Sequence, residues 1–391
     1  MNRQKRQYDI GCVPSSLWFG FVGSNILVPI IALASRIKVK PDRDFLKAEG
    51  PIIVIANHES FLDPMVTSRL THGRKVNFVC GEFLFRKHFW GHVFKLGGAI
   101  PKKQFAVDTT AVKAMMKVMQ RGGVLVIYPE ATRHIDGHTT DDFDDGVAKL
   151  AKKAGASIYV QRIHGAYMTM PRWSPGVKLR RGLITSEFVR VITREEISGL
   201  SVGELDALIK RSIDYDENDW VRETGIKYKG RNLAEGLQNI AYKCLNCGRE
   251  FEMHTAGDLL TCDCCHTSYR YGTDGSISYG DKTTDLHKWV MWEEDQIRKA
   301  PDPPVLVMPC ELYKEQDQFT FVKTDEGTLK VTADAISFDG ADNISFDTGR
   351  IRGMVCSYGN HFEVYDSKGE LYRFKVPGNK VLKIQQTVKV R

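Results

Sequence analysis

The chain has 391 residues, long enough for two or three domains, and a net charge of +7, which suits an anionic membrane surface and equally nucleic acid. No internal repeat or low-complexity tract runs through it, which excludes solenoid and low-complexity architectures. Its nine cysteines are spaced as in a reduced chain rather than a disulfide framework.

Between Asp9 and Arg36 there is no charged residue, and residues 18–34 are largely apolar, a length that can span a bilayer. Gly20, Gly23, Ser24, Asn25 and Pro29 interrupt the run, and basic residues flank both ends. Ala32-Leu33-Ala34 mimics a signal-peptide cleavage site, but the run begins far from Met1 for a secretory signal. The preferred reading is a pair of short helices lying in the membrane interface, with Trp18 and Phe19 as anchors. A transmembrane span and a buried core helix are the alternatives.

Residues 51–56, PIIVIA, form a short continuous apolar run and read as a buried strand. Asn57-His58-Glu59-Ser60-Phe61-Leu62-Asp63 follows, at the strand's carboxyl end, where open α/β sheets place their chemistry. A histidine held by a carboxylate is a ready general base, which makes His58 and Asp63 the first candidates. Asp63-Pro64 is equally a helix start, with Asp as N-cap and Pro as first helical residue. Both readings stay open on the sequence.

Residues 76–80 look like a strand, and Gly98-Ala99-Ile100-Pro101-Lys102-Lys103-Gln104 follows. Asp108 caps an expected helix with Val112, Met115, Met116 and Met119 on a core face, ended by Gly122 and Gly123. The apolar strand 124–128 leads into Pro129-Glu130-Ala131-Thr132-Arg133. A helix over 146–154 and a strand over 157–163 precede His164-Gly165-Ala166-Tyr167 and Pro171. Lys178, Arg180 and Arg181 read as a solvated basic patch.

In this order the blocks resemble the 1-acylglycerol-3-phosphate O-acyltransferase family, whose motifs are N-H-x-S-x-x-D, G-x-I-x-x-x-R and P-E-G-T-R, over roughly residues 15–200. The resemblance implies that His58, oriented by Asp63, deprotonates an acceptor hydroxyl attacking an acyl thioester. It implies substrate contacts from Asn57, Ser60, Gly98, Lys102, Lys103, Glu130, Thr132 and Arg133, with Arg133 and the two lysines neutralising the acceptor's phosphate. Glu130 has two readings, a contact to the acceptor's glycerol and a structural ion pair. The chain departs from the pattern at Gln104, where the family carries Arg, and at Ala131, where it carries Gly. If position 131 needs φ > 0, alanine is strained there. Tyr159 stands where Pro is common.

The acidic stretch 214–219 reads as a surface connection. Cys244-x-x-Cys247 and Cys262-x-x-Cys265 then have the spacing of a tetrahedral thiolate site, resembling a structural Cys₄ zinc ribbon, with Cys264 as the spare. Iron in the same cage and disulfide pairing are the competing readings. A helix around 289–298 and a Pro-rich break at 301–304 precede strand-like runs at 329–332, 336–338, 361–365 and 371–376. Asn379 caps an expected final helix. Several antiparallel strands closed by a C-terminal helix resemble a pleckstrin-homology-type barrel.

The expected fold class is thus α/β, an acyltransferase-type mixed sheet flanked by helices, plus a small zinc ribbon and a C-terminal β-rich domain. Expected boundaries are 1–40 for membrane-interacting helices, 41–215 for the acyltransferase domain, 216–300 for the ribbon and linking helix, and 301–391 for the β domain. The expected function is acyl transfer from acyl-CoA or acyl carrier protein to a lysophospholipid, by default 1-acylglycerol-3-phosphate, on the cytoplasmic face of a membrane. The alternatives are a non-catalytic lipid-binding or scaffolding protein on the same fold, and a zinc-ribbon nucleic-acid binder. Nucleic acid is not the expected partner, because Glu250, Glu252 and Asp258 make the ribbon acidic.

Overall fold

The structure is a computed structural model that describes residue 23 and residues 25–85, 88–301, 304–317 and 320–389. Trp18 and Phe19, the expected membrane anchors, lie outside the described residues, as does much of the segment 1–40. Two compact units interleave along the chain. The first holds residues up to Ala131, Thr139–His164 and Ile184–Tyr215; the second holds Thr132–His138, Gly165–Leu183 and Asp216–Arg391.

In the first unit six strands run β1 (Ile52–Ala56), β2 (Asn77–Gly81), β3 (Ile100–Lys102), β4 (Val124–Ile127), β5 (Ser157–His164) and β6 (Thr185–Ile192). Their order across the sheet is β3-β2-β4-β1-β5-β6. All pairings are parallel except that of β5 with β6. Every residue of β1 is buried, because helices and loops cover both faces of this central strand. Ile53 and Ile55 pack with the helices Thr109–Gln120, Gly146–Ala154 and Val202–Ile213. Ile52 and Val54 pack on the other face with Phe45, Val76 and Val126. The parallel neighbours β4, β1 and β5 therefore release their carboxyl ends side by side, and those ends carry Tyr128, Asn57 and His164.

Three local expectations need correction. In the helix Thr109–Gln120, capped by Asp108 as expected, the buried face is Ala111, Ala114, Met115, Val118 and Met119, and Val112 is 45% exposed. Val112 sits one residue off the stripe that faces the sheet. The stretch 214–219 is not a simple surface connection. Asp216 caps the helix Glu217–Thr224, and Glu217 is fully buried. Its carboxylate accepts from the Gly165 and Met168 amides at 2.7 and 2.9 Å, so it holds the start of the turn Ala166–Thr169. Arg180 belongs to no solvated patch either. It is 6% exposed, lies 5.1 Å over both Trp173 and Tyr271, and donates to the Leu233 carbonyl.

In the second unit β7 (Met253–Ala256), β8 (Leu259–Cys262), β9 (Ser268–Tyr271), β10 (Ile277–Tyr279) and β11 (Lys282–Thr284) form an antiparallel meander. The helix Leu286–Arg298, capped by Asp285, follows. A seven-stranded antiparallel sheet comes next: β12 (Leu306–Asp317), β13 (Thr320–Val331), β14 (Ala335–Asp339), β15 (Ile344–Asp347), β16 (Val355–Ser357), β17 (His361–Tyr365) and β18 (Leu371–Lys375). Its order is β15-β14-β13-β12-β18-β17-β16, and the helix Val381–Lys389 follows it. The Asn379 side chain does not cap that helix but donates to the Gln238 carbonyl at 2.9 Å. One hydrophobic cluster runs through Cys244, Tyr269, Trp289, Leu312, Phe374 and Ile384. The meander and the larger sheet thus share a core, which the chain-order ranges 216–300 and 301–391 divide.

Candidate active site and metal centre

β1 ends in the buried core, and the turn after it must satisfy its own backbone amides because little water reaches them. Asp63 does this. It is fully buried, and its Oδ2 accepts from the Glu59 and Ser60 amides at 2.7 and 2.9 Å. The same oxygen lies 2.7 Å from His58 Nδ1. Asp63 is not the N-cap: the helix runs Asp63–Leu70, the cap position is Leu62, and the carboxylate turns back onto the loop. Of the two readings open on the sequence, the geometry realises the His–carboxylate pair.

Asn57 locks the turn to the sheet. Its Nδ2 donates to the Ile163 carbonyl at 2.9 Å and its Oδ1 accepts from the Ile163 amide at 2.8 Å, so the side chain imitates one more strand residue beside β5. Ser60 Oγ accepts from the Leu62 amide at 3.0 Å. Asn57 and Ser60 are both buried, Asn57 bonded to β5 and Ser60 within the loop. Glu130, 2% exposed, accepts from the His58 amide through Oε1 at 2.9 Å and from the Thr140 amide through Oε2 at 3.0 Å. Its role here is to hold the His58 backbone.

His58 itself is 21% exposed at its side chain. Its ring stacks on Tyr128 with centroids 4.6 Å apart. Tyr128 is a site residue that motif reasoning missed, and only the parallel β4–β1 pairing reveals it. Its hydroxyl meets Thr67 Oγ1 at 3.0 Å, and Thr67 donates to Gln161 at 2.9 Å. Burial, with the Asp63 carboxylate nearby, pushes the Tyr128 hydroxyl well above its ordinary value, so it stays protonated. Glu59 was also missed; it is fully buried and accepts from Asn57 Nδ2.

Gly98 has φ 68° and ends the helix His88–Leu96, with its carbonyl accepting from Asn77 at 2.7 Å. Lys102 Nζ folds back to the Lys103 carbonyl at 3.2 Å, and the Lys103 amide donates to Asp108 at 3.1 Å. Gln104 Nε2 donates to the Ala131 carbonyl at 2.6 Å, and Ala131 has φ 57°. The left-handed conformation is thus kept although alanine occupies it. Thr132 and Arg133 belong to the second unit, where Arg172 donates to the Thr132 hydroxyl and, at 2.9 Å, to the Arg133 carbonyl.

In the second unit the Sγ atoms of Cys244, Cys247, Cys262 and Cys265 lie within 4.8 Å of one another. Cys244 and Cys265 are 3.6 Å apart and Cys247 and Cys262 3.7 Å, too far for disulfide bonds. These spacings match the edge of a tetrahedron, about 3.8 Å for a metal–sulfur bond of about 2.3 Å. The residues therefore fit a tetrahedral metal ion. Cys265, not Cys264, completes the set. Thr267 and Asn246 draw its thiol down, while Cys247 and Cys262 in the same cluster are pushed up.

Residues 36–163 match the family model described as Acyltransferase, and this segment contains His58, Asp63 and Glu130. The chloroplastic 1-acyl-sn-glycerol-3-phosphate acyltransferase LPAT1 of Arabidopsis thaliana is 26% identical over 166 residues, covering 42% of this chain and 44% of that protein. The chloroplastic 1-acyl-sn-glycerol-3-phosphate acyltransferase BAT2 of Brassica napus is 27% identical over 154 residues, covering 39% and 42%. That of Streptococcus pneumoniae is 25% identical over 138 residues, covering 35% and 46%. The chain thus spans less than half the length of each curated relative it matches. Among solved structures, the acyltransferase PlsC of Thermotoga maritima matches with a TM-score of 0.40 at 20% identity, covering 49% of this chain and 73% of that one.

Proposed function

We propose that this protein transfers a fatty acyl group from acyl-CoA or acyl carrier protein to the hydroxyl of a lysophospholipid, with 1-acylglycerol-3-phosphate as acceptor and phosphatidate as product. The observation that carries the reading is the His58–Asp63 pair, at 2.7 Å, inside a segment similar to acyltransferases of that acceptor.

Asp63 occupies Nδ1, which leaves Nε2 to take the acceptor's hydroxyl proton. The freed oxygen attacks the thioester carbonyl carbon, the C–S bond breaks, and the thiolate leaves with the proton from the imidazolium. Asp63 fixes the tautomer and stabilises the cation formed midway. Its two backbone donors keep its charge in place. Base assistance of this kind contributes about 10²–10⁴ in rate, and holding the two substrates together contributes more. The acceptor phosphate is assigned to Arg133 by its place in the motif that contains Glu130.

The four cysteines hold a structural zinc in this reading, since four thiolates close the coordination sphere and leave no position for substrate. No described helix is long and apolar enough to cross a membrane. Ile26, Leu27, Ile30 and Leu33 are 41–84% exposed and form the proposed contact with an anionic membrane surface, on its cytoplasmic face.

The test is transfer from labelled acyl-CoA to a panel of lysophospholipids, wild type beside His58→Ala. Transfer lost in the variant, with folding and metal content intact, supports the mechanism. No transfer by the wild type from either acyl-CoA or acyl carrier protein overturns it.

A further inference from the structure

Arg172 makes four contacts with two stretches of the second unit that lie far apart in sequence. Through Nη1 it donates to the Thr132 hydroxyl and to the Arg133 carbonyl at 2.9 Å. Through Nη2 it donates to the Cys356 carbonyl at 2.7 Å, and its guanidinium lies 5.0 Å above the Tyr358 ring. Cys356 belongs to β16, one of the two edge strands of the seven-stranded sheet. Tyr358 is 6% exposed and its hydroxyl donates to Gln385, on the helix Val381–Lys389. The platform under Arg172 is therefore itself braced by the C-terminal module.

A planar guanidinium can make these contacts at once because its donors point along fixed directions, whereas an ammonium is a point charge. The segment it grips follows Glu130 directly in the chain, and Glu130 holds the His58 amide. Neither the Arg133 carbonyl nor the Cys356 carbonyl can change direction without breaking a bond to the same side chain.

We infer that Arg172 is a positioning residue for Thr132 and Arg133, through which the C-terminal sheet sets the conformation of the acceptor-phosphate contact. The inference rests on the reading of Arg133 as that contact. Arg172 touches no reacting atom; it acts by fixing the backbone from which Arg133 reaches.

The experiment compares wild type, Arg172→Lys, Tyr358→Leu and Tyr358→Phe as full-length chains. Arg172→Lys raises KM for lysophosphatidate roughly ten- to a hundredfold, with KM for the acyl donor unchanged. Tyr358→Leu moves KM the same way, and Tyr358→Phe, which keeps the ring but loses the bond to Gln385, moves it less. Combining Arg172→Lys with Arg133→Gln costs no more than Arg133→Gln alone, to within about twofold, because the two act as one unit. An unchanged acceptor KM, or penalties that multiply, overturns the inference while leaving the proposed activity standing. A wild type that transfers nothing overturns the activity instead. Hydrogen exchange across residues 130–138 then decides the inference by itself: faster exchange in Arg172→Lys supports the tether, and unchanged exchange removes it.

Discussion

Gln104 and Ala131, the two positions where the chain departs from the second and third motifs of the family it resembles, are bonded to each other. Gln104 Nε2 donates to the Ala131 carbonyl at 2.6 Å, and Ala131 holds φ 57°. An alanine in the left-handed region brings its Cβ close to its own carbonyl and costs about 1 kcal/mol or more. The Gln104 amide offsets part of that cost by fixing the carbonyl where the turn needs it. An arginine donor at 104 would be drawn outward by a phosphate; here the side chain is used inside the protein.

Ala131→Gly should therefore stabilise the protein by about 0.5–1 kcal/mol, because glycine adopts φ > 0 without the Cβ contact. Denaturant unfolding of the two proteins at equal pH checks this. An unchanged or lower midpoint would mean that Ala131 is not strained.

Asp63→Asn should lower kcat by about 10²–10⁴, since an amide can present the wrong tautomer-setting group to Nδ1. KM for both substrates should change little, as Asp63 is fully buried and reaches substrate only through His58. A variant with full kcat would end the general-base mechanism.

Glu130→Gln keeps the shape but leaves one oxygen where two now accept from the His58 and Thr140 amides. Leaving a buried amide unpaired costs about 1–3 kcal/mol, so stability falls by that order and kcat falls with it. A variant that loses only acceptor affinity would instead place Glu130 on the substrate.

His164 supplies a pH dependence. Burial, then the nearby Arg162 guanidinium, lower it from 6.5 to about 4. Its Nδ1 meets the Tyr215 hydroxyl at 2.9 Å, and the exposed Glu187 carboxylate at 3.9 Å is too solvated to offset the burial. Between pH 6.5 and about 4 the unfolded chain binds a proton at this site that the folded chain refuses, so stability falls as pH drops through that window. The contribution is on the order of 1–3 kcal/mol at the low end and zero above the ordinary value. His164→Asn should flatten the curve over that window; an equal slope in both proteins would show that the site does not titrate so.

Metal removal should reach beyond the cysteine knuckles. Cys244 and Cys262 belong to the cluster that also contains Trp289, Leu312 and Phe374. Tyr242 donates to Gln386 and Gln386 to the Val290 carbonyl, tying the segment before β7 to the helices Leu286–Arg298 and Val381–Lys389. Chelation, or Cys247→Ser, should cost several kcal/mol and speed hydrogen exchange in β12 and β18 as well as in β7 and β8. Exchange confined to residues 244–271 would show an independent ribbon, and absence of stoichiometric zinc from the reduced protein would end the zinc assignment.

Much of the site was legible because its chemistry is local. His58 and Asp63 are five residues apart on one turn, and each C-x₂-C pair closes on itself, so spacing alone brings the groups within reach. The continuous apolar runs of β1 and β4 marked strands buried on both faces for the same reason. Less legible were Val112, which one residue of helical phase moves to solvent, and β12, whose apolar start at 306–310 and polar end at 314–317 show no strand alternation. Glu217 and Arg180 were misread as surface groups because their partners, the Gly165 and Met168 amides and the Trp173 and Tyr271 rings, lie many residues away.

By itself the sequence determined the chemical groups: a histidine with its carboxylate, four cysteines at metal spacing, and the strands that carry them, all set by contacts a few residues long. Tertiary structure alone decided which partners the polar groups meet and which of them hold backbone. The sheet order placed Tyr128 under His58, gave Glu130 to the His58 amide, and paired Gln104 with Ala131. A side chain's polar atoms go to whichever partner is nearest when water is excluded, and that partner is chosen by packing rather than by chain distance.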